Sequence, residues 1–325
     1  MRTLVALVVI LVSLAAILLS GLRLASMIRE VGVLPVRIPE EGRMVETALG
    51  PIYVEELGPK GGTPVLLVHG SIGWSRIWRP TAEALAAEGY RAIAFDMPPM
   101  GWSFRDPAGD YSRQTQARRL LALVATLGVK PILVAHSIGA GPAAEAAMLQ
   151  PEAVAGLVVV SGQIGLGRDG TGLTPPWPLG YPLMRELVVS ATLTNPMATG
   201  AIVRRFLHQK DAATPEFIDM LNRPNRRAGT TAALADWLPS QIVAPAGALS
   251  TSPDAWSALA LPLALIWGEQ DSATPPEEAQ ALADLTGAPL SILPEVGHIP
   301  QIEAPAAFQA ALIAALAKMT PTDTP

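Results

Sequence analysis

The chain has 325 residues, of which 50% are hydrophobic and 16% charged. That is enough to bury a core for one large α/β domain with an insertion, or for two small domains. A net charge of -5 with only short basic clusters excludes a nucleic-acid footprint. The absence of cysteine excludes disulfides and thiolate metal sites, and His69, His136, His208 and His298 are not spaced as a metal set, so no metal and no cofactor is expected.

In chain order, the first feature is Leu4 to Leu22, apolar except for Ser13, Ser20 and Gly21, and flanked by Arg2, Arg23 and Arg29. At about 1.5 Å per residue this run approaches the ~30 Å hydrocarbon thickness of a bilayer. Residues 1–30 are therefore expected to form a single-pass membrane anchor. The alternative is a cleaved signal, leaving a secreted or periplasmic domain, because Ser20 and Ala25 are small enough to permit cleavage nearby. The side of the membrane stays open, since Arg2 and the amino terminus compete with Arg23, Arg29, Arg37 and Arg43.

Pro35, Pro39, Pro51 and Pro59 then punctuate two alternating runs, Met44 to Ala48 and Ile52 to Glu56. These predict a linker and an antiparallel hairpin at a sheet edge. Strands follow at Val65 to Val68, Arg91 to Phe95, Pro131 to Ala135 and Gly156 to Val160, with helices at Ile77 to Glu88, Ser112 to Leu127 and Ala140 to Leu149. Alternation of this kind predicts an α/β fold with a doubly wound, mostly parallel sheet covered on both faces.

The rhythm stops from Gly162 to about Leu259, where helical stretches are expected around Tyr181 to Leu193, Ala198 to His208, Pro215 to Leu221 and Thr230 to Trp237. It resumes with a strand at Leu263 to Trp267, a helix at Pro276 to Thr286, a strand at Pro289 to Leu293 and a helix at Pro305 to Lys318, before a frayed tail after Met319. The expected organisation is a first core part over 31–162, an inserted helical cap over 163–259 and a second core part over 260–325.

Ligands on such sheets lie beyond the carboxyl ends of the strands. There the chain reads Ala135-His136-Ser137-Ile138-Gly139, a serine at a tight strand-to-helix bend, which is the position of a nucleophile. A capping serine would use the same place. A serine hydroxyl needs a base and an orienting carboxylate. His298 follows the last strand and Asp271 follows the strand before it, with Glu269 as the competing acid. The order Ser137, Asp271, His298 is that of a serine hydrolase on a doubly wound sheet. Backbone donors for an oxyanion are expected at Ile138 and, in the glycine-containing loop His69 to Ser75, at Ser71.

His69-Gly70-Ser71-Ile72-Gly73, Asp96-Met97-Pro98-Pro99-Met100-Gly101-Trp102-Ser103, His136-Ser137-Ile138-Gly139, Trp267-Gly268-Glu269-Gln270-Asp271 and Gly297-His298 together resemble the α/β-hydrolase superfamily over roughly Val45 to Lys318. Two positions depart from its pattern: Ala135 replaces the first elbow glycine, and Pro99 stands where the Asp-x-Pro-Gly-x-Gly-x-Ser pattern beginning at Asp96 normally has Gly. The resemblance implies ester, lactone, thioester or carbon–carbon hydrolysis through a serine, on a small-molecule acyl or ester substrate. A cofactor-free haloperoxidase or perhydrolase with the same triad, and a non-catalytic binding protein on the same fold, are the alternatives. Asp96, His69 and His136 are expected to support loops. Trp74, Trp102, Trp177 and Trp237 could line a cleft or simply belong to the core; Arg204, Arg205, Arg223, Arg226 and Arg227 could face lipid head groups or water.

Overall fold

The computed structural model describes residues 1–31, 37–168, 170–171 and 174–319. Pro35 and the expected frayed tail lie outside them. Eight strands form one sheet: β1 (Gly42–Thr47), β2 (Gly50–Leu57), β3 (Pro64–Val68), β4 (Arg91–Phe95), β5 (Ile132–His136), β6 (Gly156–Val160), β7 (Leu263–Gly268) and β8 (Leu290–Leu293). Their order is β1-β2-β4-β3-β5-β6-β7-β8, with β1–β2 and β2–β4 paired antiparallel and the other five pairings parallel.

The period-two geometry of a strand explains the two cores. Leu66, Val68, Leu133, Ala135, Leu157 and Val159 point to one face, Val65, Leu67, Ile132, Val134, Val158 and Val160 to the other. The first face is covered by α3 (Arg113–Leu127), α4 (Ala140–Leu149) and α9 (Pro276–Thr286), the second by α2 (Arg79–Ala87) and α10 (Pro305–Met319). Burial on both faces is why these strands are continuous apolar runs. The helix expected from Ile77 begins instead as a 3-10 turn at Ser75–Trp78 and becomes α-helical at Arg79, where Pro80 supplies the fixed φ of a first turn.

Between β6 and β7 the chain leaves the sheet and forms a helical cap. It contains α5 (Pro182–Ala191), α6 (Pro196–Phe206), α7 (Pro215–Asn222) and α8 (Thr230–Trp237). Polar contacts bind it to the carboxyl edge: the Trp74 indole donates to Met220 O at 3.0 Å, and Arg227 donates to Gly101 O and Ser103 O. α1 (Arg2–Val31) runs nine residues beyond the apolar stretch that announced it. It meets the length and composition of a membrane span, and equally of an N-terminal signal sequence.

Candidate active site

The register places the strand ends in a row, with Val68 beside Ala135, Ala135 beside Val159 and Val159 beside Leu265. Residues just past these ends therefore meet along one edge. Ser137 stands at the bend between β5 and α4 with φ 54°, a left-handed conformation that costs a non-glycine residue roughly 1–2 kcal/mol. Small neighbours make the bend possible. A Cβ on Gly139 would lie 2.6 Å from His69 O, and one on Gly70 would lie 3.0 Å from Ser137 Cβ. Ala135 takes the first elbow position without disturbing it, because its methyl group packs in the core between β3 and β6.

Ser137 Oγ is 2.8 Å from His298 Nε2, and His298 Nδ1 lies 3.0 and 2.9 Å from the two oxygens of Asp271. A carboxylate can only accept, so Nδ1 carries the proton and Nε2 is left to accept from the serine hydroxyl. The Asp271 oxygens also receive Ala273 N–H, Thr274 N–H and the Thr274 hydroxyl at 2.9, 3.0 and 2.8 Å. Burial opposes the Asp271 charge, but the bond from His298 and the Thr274 donors outweigh it and hold the carboxyl below its ordinary range. Glu269, the competing acid, turns to the outside and accepts Glu295 N–H at 3.3 Å.

The loop that carries His298 is clamped from several sides. His136 Nε2–H donates to His298 O at 2.7 Å, and its ring packs 5.2 Å from the His298 ring. Burial, and then the neighbouring His298, push the His136 pKa down to about 3, so this ring stays neutral. His298 N–H reaches into the cap and donates to Phe206 O at 2.9 Å, while the Phe206 ring stacks at 5.6 Å. Buried Glu303 accepts the N–H groups of Gly297, Ile299, His208 and Gln209 at 3.0, 3.1, 2.7 and 3.0 Å, joining the His298 loop to the end of α6. Sequence reasoning missed Glu303, Thr274 and Phe206. An acid five residues after the histidine and a threonine three after the aspartate were visible; the reach of Phe206 was not.

Ser71 lines a small cavity together with Ser137 and His298, and Ile138 lines a larger one, of about 480 Å³, with Met97, Arg113, Gln163 and Trp237. Ser71 thus lies beside Ser137, and Ile138 follows Ser137 directly in the chain. His69 Nδ1–H donates to Gly70 O at 2.8 Å and its Nε2 accepts Met97 N–H at 2.9 Å, fixing the loop of Ser71 to that of Asp96. Asp96 accepts Ser75 N–H and Trp102 N–H, both at 2.6 Å; burial pushes its pKa up to about 7 against those two donors. Trp74 and Trp237 line cavities under the cap, and Trp102 is buried edge-on to Trp74. Trp177 does not: it is 82% exposed on the outside. Among the basic cluster, Arg227 points inward over Trp102. No group of side chains suited to hold a metal occurs among the described residues.

A serine at the elbow of a doubly wound sheet, hydrogen-bonded to a histidine and through it to an aspartate, defines the class of α/β enzymes that hydrolyse bonds. A family model described as alpha/beta hydrolase fold matches residues 63–305, and the chain belongs to that family. The uncharacterized hydrolase YugF of Bacillus subtilis (strain 168) is 27% identical over 260 residues, covering 78% of this chain and 90% of the relative. A 2-hydroxy-6-oxononadienedioate/2-hydroxy-6-oxononatrienedioate hydrolase of Pseudomonas putida is 28% identical over 269 residues, covering 78% and 86%. Among solved structures, a membrane phospholipase A superposes with a TM-score of 0.65 at 23% identity, covering 98% of both chains; at that identity the likeness is one of fold.

Proposed function

We propose that this chain is a membrane-anchored serine hydrolase that cleaves a carboxylic ester or similar acyl bond through an acyl-enzyme. The observation that carries this reading is the continuous hydrogen-bonded chain from Ser137 through His298 to Asp271. In the proposed mechanism Ser137 Oγ attacks the substrate carbonyl while His298 Nε2 takes its proton. Asp271 stabilises the imidazolium that results, and the N–H groups of Ser71 and Ile138 receive the oxyanion. His298 returns the proton to the leaving alcohol. Water then repeats the sequence on the acyl-enzyme, freeing the acid and Ser137.

α1 is proposed as a retained anchor because its last turns are covered by the cap, with Ser26 and Glu30 buried there. Carbon–carbon bond hydrolysis with the same residues is the second reading, favoured by the likeness to the dienedioate hydrolase.

Labelling with a fluorophosphonate tests the chemistry. Wild type is expected to label, and Ser137→Ala and His298→Ala to lose labelling together with about 10⁴-fold or more of ester turnover, without loss of folding. Retained turnover in Ser137→Ala would sink the assignment.

A further inference from the structure

The end of α1 is part of the cap. Leu19, Leu22, Arg23, Ser26 and Glu30 recur at helical spacing and are wholly or partly covered, whereas Leu4 to Leu18 are exposed. Arg23 Nε donates to Glu186 at 2.9 Å, Arg29 donates to Thr194 O at 2.9 Å, and Glu30 accepts Thr231 N–H at 3.0 Å and the Thr231 hydroxyl.

These contacts fix direction as well as position. Arg23 meets Glu186 and Arg29 meets Thr194, so later residues of α1 meet later residues of the cap, and α1 and α5 run parallel. Leu183 lies three residues before Glu186, about 4.5 Å towards the start of α5, which puts it level with Ser20 in the last turn of the apolar run. Tyr181 and Trp177 precede it. All three are exposed, at 82% for Trp177, 59% for Tyr181 and 61% for Leu183. The backbone that carries the two rings is held in turns: Leu179 N–H donates to Pro176 O, Tyr181 N–H to Pro178 O, and Arg185 Nη1 to Leu179 O and Gly180 O. Exposed aromatic rings a few residues before Leu183, itself level with the end of an apolar helix, are of the kind that settle at a membrane–water boundary.

The other end of the same helix pair adjoins the site. The cavity beside Ser71 is roofed by Leu193, Asn225, Thr230 and Leu234, and α1 grips the neighbours Thr194 and Thr231. We infer that Trp177, Tyr181 and Leu183 form a second contact with the bilayer, which seats the cap in the interface and delivers to Ser137 acyl esters carried by membrane lipids. This rests on the anchored-hydrolase reading above and adds its substrate class.

The test uses the full chain reconstituted in phosphatidylcholine vesicles that contain acyl-brominated lipid. Trp177 is the reporter, because the six other tryptophans are at most 3% exposed. Flotation with the vesicles, and a bromolipid-quenched fluorescence component that vanishes in Trp177→Phe, are expected. A combined Trp177→Ser, Tyr181→Ser, Leu183→Ser variant is expected to hydrolyse a fluorogenic phosphatidylcholine in the vesicles on the order of tenfold more slowly, since interfacial binding scales with the apolar area buried. Its turnover of soluble p-nitrophenyl butyrate is expected to stay unchanged. Protein that floats, with Trp177 quenched by aqueous iodide and not by bromolipid, overturns the surface while leaving the anchored hydrolase intact. Quenching by bromolipid without turnover of the vesicle ester overturns the substrate class. Failure to float, with soluble ester still cleaved, overturns the anchor and this inference together.

Discussion

The carboxyl edge of the sheet is held by strand ladders, whereas the cap above it is docked on that edge by side-chain packing and scattered polar bonds. At the edge, parallel ladders and two apolar cores fix the residues that follow β3, β4, β5 and β7, and the side chains of Val68, Ala135 and Val159 are fully buried. The cap rests on that edge without a ladder: Val203, Leu207, Ala213 and Leu221 join the second apolar core, and polar bonds of Trp74, Arg227, His298 and Glu303 run across the gap. Net, each such bond contributes only about 1 kcal/mol, rising to about 3 kcal/mol where one partner is charged. The proposed nucleophile, Ser137, therefore belongs to the rigid region, whereas His298 is shared: its side chain meets Ser137 and its N–H meets Phe206. Geometry at Ser137 is set by packing, and geometry at His298 by the join between the two regions.

The rigid side breaks most severely at Gly139. A methyl group there must displace the His69 carbonyl, so Gly139→Ala is expected to cost about 1–3 kcal/mol of stability by overpacking and, because the elbow shifts, on the order of 10²-fold in kcat. Chemical denaturation and ester kinetics measured side by side check both. Next comes the join itself. Glu303→Gln keeps the shape but removes the charge that four backbone donors share, with an expected loss of about 2 kcal/mol and on the order of tenfold in kcat. Equal losses of stability and no change in kcat would show that the join does not position His298.

His136 sharpens the comparison through pH. Its folded pKa, about 3, lies below the ordinary 6.5, so between those values the unfolded chain binds a proton that the folded chain does not. Stability from this residue is full above pH 6.5 and is lost as pH falls towards 3, at about 1.4 kcal/mol per pH unit. His136→Gln, whose amide can still donate to His298 O, is expected to flatten the stability–pH slope by that one proton between about pH 4 and 6. An unchanged slope would show that His136 titrates normally in the fold. The smallest effect is expected at Ala135. Restoring glycine removes a methyl group from the core and loosens a central strand, for about 1 kcal/mol and little change in turnover.

The contrast between the two regions also separates what could be read in the sequence. Arg91–Phe95, Ala140–Leu149, Gly156–Val160, Thr230–Trp237 and Pro276–Thr286 have the bounds that pattern alone assigned. Strand and helix periodicity, and the chemistry of turns, are local properties, and parallel strands buried on both faces announce themselves as apolar runs. The proposed residues Ser137, Asp271 and His298 were legible for the same reason, as polar residues one, three and five positions beyond such runs. What pattern could not supply was every relation between segments far apart in the chain. That Phe206 packs on His298, that Glu303 ties the His298 loop to the cap, that Trp177 faces outward and that Glu30 closes on Thr231 were decided by tertiary structure. These pairings depend on how the cap settles across the sheet edge, a geometry set by summed packing over the whole fold, which no single stretch of residues encodes.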